Sequence, residues 1–162
     1  MGTVGELARR GVRQESILDA RADDRLNAAL ENLSRNGDEE DFESHYDLGI
    51  AFREMGLLDE AIGCFQKASR GEPQRVRASE AMGQCFIDKS EPGVAMTVLE
   101  RLARDSNMND AQLVGVLYLL GSASESLGRP GDAASYYQRV IAVQIGFRDA
   151  GERLSALAQT SP

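Results

Sequence analysis

His45 is the only histidine of this chain, and Cys64 and Cys85 are its two cysteines, so the side chains that most often bind metals or act as nucleophiles are scarce. A zinc site draws its ligands from closely spaced Cys and His pairs, and a Ser or Cys nucleophile needs a base beside it. Neither set can be assembled, and no glycine-rich loop runs into Lys and Ser or Thr to cradle a phosphate. Carboxylates are plentiful, 26 Asp and Glu against 18 Lys and Arg. The densest run, Asp38-Glu39-Glu40-Asp41, lacks the alternating ligands and glycine of a calcium loop. It reads as a solvated linker that also places negative charge at the next helix start. The sequence thus predicts no enzyme, no cofactor and no metal, and its acidic and apolar side chains are those of a surface that recognises.

A net charge of −8 argues against nucleic acid, which needs clustered positive charge, and favours a basic or neutral protein partner. No apolar stretch is long enough to span a bilayer, so no membrane role is expected. Both cysteines lie inside apolar helical patterns and read as reduced core residues of a cytoplasmic protein. A secretory signal is not visible, and the myristoylation motif wants Ser or Thr where Glu6 stands. Only Lys67 and Lys89 among the basic residues are lysines, a bias common in GC-rich bacterial genomes.

The elements that would position such a surface are helices. Leu48, Phe52 and Met55 recur at i, i+4 and i+7, as do Ala61, Phe65 and Ala68, and no segment alternates with period two. Proline falls only at positions 73, 92, 130 and 162, which cuts the chain into helix-length pieces. Leu26, Ala29, Leu30 and Leu33 predict an amphipathic helix from about 23 to 36, opened by Asp23-Asp24 and closed by Gly37. Residues 1–22 are read either as a frayed tail or as a helix that needs a partner, and residues 1–36 carry enough apolar character to cap a neighbour or to form a homo-oligomer.

Shifting the sequence against itself exposes a repeat. Gly49, Phe52, Ala61 and Phe65 return 34 residues later as Gly83, Phe86, Ala95 and Leu99, and Gly121, Ala133 and Tyr137 supply a third copy after a further 38. Four extra residues make about one helical turn and preserve the buried face. They are expected near Asp105 to Asp110, with Asn109 or Asp110 capping the next helix.

With its Leu48-Gly49, Phe52, Gly56, Ala61, Phe65, Ala68 and Pro73, the segment 42–75 resembles the tetratricopeptide repeat family, whose unit is a 34-residue helix-turn-helix. Small residues let the paired helices approach, aromatics fill the space beside them, and Pro73 is expected to end the second helix. Copies two and three depart from the pattern at Ser90 for the turn glycine, Asn107 for the proline, Ser124 for the first aromatic and Val140 for the last alanine. The resemblance implies an all-α, right-handed α-α superhelix: an N-terminal helix and acidic linker at 23–41, repeats at 42–75, 76–109 and 110–146, and a capping helix and tail at 147–162. The cap is read from the stripe Phe147, Ala150, Leu154 and Leu157.

The resemblance also implies where a partner would sit, on the concave side lined by the first helix of each repeat. Those side chains would be Glu43, Tyr46, Asp47, Ile50, Arg53 and Glu54 in copy one, and Arg77, Glu80, Ala81, Gln84, Ile87 and Asp88 in copy two. Copy three would add Tyr118, Leu119, Ser122 and Glu125. Apolar anchors among carboxylates suit a peptide or helix bearing Arg or Lys beside apolar residues. Relatives that grip acidic chaperone C-termini use Lys, Arg and Asn, whereas Tyr46, Ile50, Ala81, Gly115 and Leu119 offer no such donors. The expected function is a non-enzymatic adaptor or scaffold; the alternative is a cytoplasmic secretion chaperone like those of type III translocators.

Overall fold

A computed structural model describes residues 20–33, 35 and 41–160, and every regular element among them is helical. The chain divides into two compact units, one through Gly71 and the other from Glu72. The first contains α1 (residues 20–33), α2 (Phe42–Glu54) and α3 (Leu58–Ala68). The second begins with a 3-10 turn at Glu72–Gln74 and continues through α4 (Arg75–Asp88), α5 (Pro92–Ala103), α6 (Val114–Ser126), α7 (Pro130–Val143) and α8 (Ala150–Thr160). The pairs α2–α3, α4–α5 and α6–α7 are the three predicted hairpins.

Each hairpin turns in the same way. The backbone N–H of Leu57, Glu91 and Arg129 donates to the carbonyl of Phe52, Phe86 and Ser124, a bond that reaches back five residues and closes the first helix. That closure needs a left-handed residue just before the donor, supplied by Gly56 (φ 78°), Ser90 (φ 62°) and Gly128 (φ 70°). Ser90 therefore does a glycine's job in copy two. Pro92 and Pro130 then open α5 and α7, where the missing N–H would have had no helical partner.

The repeating glycines set the helix separation within each hairpin. A Cβ at Gly49 would come within 2.5 Å of the Phe65 ring, one at Gly83 within 2.7 Å of Leu99, and one at Gly121 within 2.5 Å of the Tyr137 ring. In the N-terminal unit, Ala29, Leu48 and Cys64 form a small core with Leu26, Leu33 and Phe52 against it. The C-terminal unit has a larger one, built from Met96, Leu99 and Leu102, Leu113 with Val116, Leu117, Leu119, Leu120 and Ala123 of α6, and Ala133, Tyr137, Val140 and Ala150. Ser124 is buried where the family carries an aromatic. Its hydroxyl donates to the Leu120 carbonyl at 2.8 Å and stands 3.7 Å from the sulfur of Met96. Both cysteines are buried thiols.

Four expectations need correction. Helix α1 is already formed at residue 20, because its buried stripe starts at Ala22 and runs through Leu26 and Ala29, so Asp23 and Asp24 lie inside it. Pro73 lies in the 3-10 turn, since α3 has already ended at Ala68. Neither Asn109 nor Asp110 caps α6: Asn109 accepts from the Gln112 N–H at 3.1 Å in a turn, and Asp110 pairs with Arg139. The last helix begins at Ala150, not 147, because Arg148 holds a left-handed backbone (φ 47°) that no right-handed helix can include. Residues 1–19 of the predicted tail, Gly37 and residues 38–40 of the linker lie outside the described residues; Asp41 is the N-cap of α2, accepting from the Ser44 N–H at 2.9 Å.

Candidate interaction surface

On α2 the buried residues are Ser44, Leu48, Gly49 and Ala51, so none of the six proposed contacts is among them. Glu43, Asp47 and Glu54 are exposed and Tyr46, Ile50 and Arg53 are half-buried. The Tyr46 ring leans on Phe65 with centroids 5.6 Å apart. Asp47 and Ile50 line a cavity of about 260 Å³ with Arg25, Ala28, Ala29 and Asn32 of α1, and the Arg25 guanidinium donates to Glu54 at 2.6 Å. His45 borders a second hollow with Phe42, Lys67 and Arg70.

In the C-terminal unit two of the proposed contacts fail. Ala81 is 7% exposed and Leu119 only 2%, and Leu119 belongs to the core, since α6 is buried on most of its circumference. Arg77 and Asp88 are exposed, Glu80, Gln84 and Ile87 half-buried, and Gln84 donates along its own helix to Asp88 at 2.8 Å. Tyr118, Ser122 and Glu125 are half-buried on α6.

Tyr118 is the centre of a polar and aromatic cluster that the sequence reading did not assemble. Its ring lies 5.9 Å from those of Tyr137 and Phe147, and its hydroxyl donates to Asp149 at 2.5 Å. The Arg148 guanidinium sits 4.8 Å over Tyr118 and 5.1 Å over Phe147, and its Nη2 reaches Glu80 of α4 at 3.2 Å. Arg153 lies over both Tyr118 and Tyr137, donates to the Tyr137 hydroxyl at 2.8 Å, and places its Nε 3.5 Å from Glu125. Tyr137 donates in turn to Glu125 at 2.5 Å. Burial, then the bond to Glu125, pushes the Tyr137 phenol far above its ordinary range; burial and the bond to Asp149 raise Tyr118. Both phenols stay protonated donors at neutral pH. Gly115 gives Glu80 its room, because a Cβ there would run into the Glu80 carboxylate.

Phe147, Arg148, Asp149 and Arg153 are thus the residues sequence reasoning missed. The available signal was two arginines within six residues of an aromatic, in an acidic chain whose predicted floor offered carboxylates and rings. Among the described residues, no three of His, Cys, Asp and Glu stand where they could hold a metal, and no helix is long and apolar enough to cross a membrane.

Three successive helical hairpins with the same turn and the same close-approach glycine define a helical repeat protein of the interaction class. Tetratricopeptide repeat models match residues 46–111 and 116–150, and the chain belongs to that family. Among solved structures, it is similar to the crystal structure of MamA (20% identity, covering 98% of this chain and 85% of that one, TM-score 0.72). It is also similar to the first TPR domain of Spaghetti bound to an HSP90 peptide, SRMEEVD (19%, 75% and 96%, 0.66). A third neighbour is PilF of Pseudomonas aeruginosa (16%, 88% and 69%, 0.67). At these identities the likeness is one of fold. No curated protein sequence matches the chain significantly.

Proposed function

We propose that this protein is a non-enzymatic adaptor that binds a basic, amphipathic peptide or helix on the first-helix faces of its repeats, in a bacterial cytoplasm. The observation that carries the reading is on α2, where exposed Glu43, Asp47 and Glu54 flank half-buried Tyr46 and Ile50 beside an open cavity. Carboxylates steer a cationic partner and exclude acidic ones, while ring and aliphatic carbons anchor it. A neighbour of the same fold holds a peptide, but that peptide is acidic at its end, and the α2 face is of the opposite preference. The buried thiols of Cys64 and Cys85 fit a reducing compartment.

The test is affinity capture with the full chain followed by mass spectrometry, repeated with Asp47→Lys and Glu80→Lys. A partner bound by the native chain should be lost from both variants while far-UV circular dichroism is unchanged. A partner retained by the charge-reversed variants would move the site off these faces.

A further inference from the structure

Within the C-terminal unit, positions that the proposed function gives to a partner are held by the chain's own residues 147–153. We propose that Glu80 and Tyr118 form a receptor for an arginine that directly follows an aromatic residue in a partner segment, and that Phe147-Arg148 occupies it in the free protein as a displaceable latch. The inference rests on the reading of the first-helix faces as the partner surface and adds the side chains recognised there.

The receptor is built from both first helices of the unit. Glu80 of α4 takes the guanidinium at 3.2 Å, and Arg148 lies over the ring of Tyr118 of α6 at 4.8 Å and over that of Phe147 at 5.1 Å, the two rings meeting edge-on at 5.9 Å. A guanidinium lying over two adjoining rings while its N–H reaches a carboxylate is a geometry that suits arginine better than lysine. Gly115 matters to it, since any larger residue would displace the Glu80 carboxylate.

The occupant is held by these side chains more than by its backbone. Arg148 is in the left-handed region, which is unfavourable for a residue with a Cβ, and the neighbouring Ile145 is 84% exposed. Of α8, only Ala150 is buried, and Leu154 and Leu157 are half-buried. Arg148 itself remains 44% exposed. A segment tied down in this way can be exchanged for one carrying the same aromatic-arginine pair without backbone strain.

The probe is a capped synthetic peptide of residues 144–151, titrated into the full chain and followed by NMR through the amide signals of Gly115 and Ser122. Emptying the receptor with the double substitution Phe147→Ala and Arg148→Ala should tighten peptide binding about tenfold or more, as expected when a competing internal occupant is removed. Adding Glu80→Gln should abolish that gain. Arg148→Asn removes the guanidinium but tolerates the left-handed backbone, and should shift affinity in the same direction if the double variant unfolds. Equal affinity for native and emptied chains, or no binding to either, overturns the latch. A native dimer by light scattering with residues 147–160 exchanged between copies would give the receptor to a second copy and overturn it too. The adaptor reading fails separately: retention of a captured partner by Asp47→Lys, on α2, is independent of this receptor.

Discussion

Repeats 1 and 3 contain the same pair of rings at the same register. Tyr46 meets Phe65 at 5.6 Å and 52°, and Tyr118 meets Tyr137 at 5.9 Å and 52°. In both, the second ring is wholly buried and lies against the glycine of the first helix. The difference is one oxygen. Phe65 needs only apolar neighbours, whereas the Tyr137 hydroxyl, buried with its ring, must be hydrogen-bonded, and Glu125 and Arg153 meet that need. Because Arg153 comes from α8, that oxygen joins the core of the third hairpin to the C-terminal helix. A packing position in one repeat has become a polar junction in another without moving the ring.

The largest expected effect tests how firmly each ring is held. Gly121→Ala should destabilise the protein by about 2–3 kcal/mol, because the new methyl meets a Tyr137 ring that its hydroxyl partners keep from yielding. Gly49→Ala should cost less, since Phe65 has no polar group anchoring it. Urea denaturation of both variants checks this, and equal losses would show that the polar partners add no rigidity.

Removing the oxygen itself comes next. Tyr137→Phe makes the third repeat's pair resemble the first's, and should lower stability by about 1–2 kcal/mol, because Glu125 and Arg153 lose a shared partner in a half-buried place. Amide hydrogen exchange should then show α8 opening more readily than α6 or α7. Unchanged protection of α8 would mean that Arg148 and the aromatic contacts hold it alone.

Much of this fold was legible because the repeat places the same residue types at the same structural points. Gly49, Gly83 and Gly121 marked the close approaches, and Ser90 was recognisable as the residue in a glycine's place before its positive φ was seen. The start of α1 was misread because Asp23-Asp24 looked like a cap, while the deciding signal was the spacing of Ala22, Leu26 and Ala29, the same as that of Ala61, Phe65 and Ala68. None of the residues assigned to the inner face on α2 is buried, but those assigned on α4 and α6 included Ala81 and Leu119, which a rule of register could not know to be enclosed. The Tyr118 cluster was illegible for a different reason. It joins Glu80 to Arg148 across 68 positions of sequence, and periodicity carries no information on such pairs.

Repeat 3 has a second polar tether, and its breakage should give the smallest effect. Arg139 of α7 donates two bonds to Asp110, at 2.7 and 3.0 Å, which pins the longer connection between the second and third hairpins. Those bonds, and secondarily the positive charge behind them, hold the Asp110 carboxyl below the usual carboxylate range. A group whose pKa is depressed on folding contributes stability above its unfolded value and loses it as pH falls through the folded one. Both side chains are 38% exposed, so solvent screening limits the contribution to under about 1 kcal/mol at neutral pH. Asp110→Asn should therefore lower stability slightly at pH 7, with the gap to the native chain closing as the solution is acidified below the ordinary carboxylate range. Paired urea titrations across that range check it, and a gap that persists in acid would assign the effect to lost shape in the connection instead of lost charge.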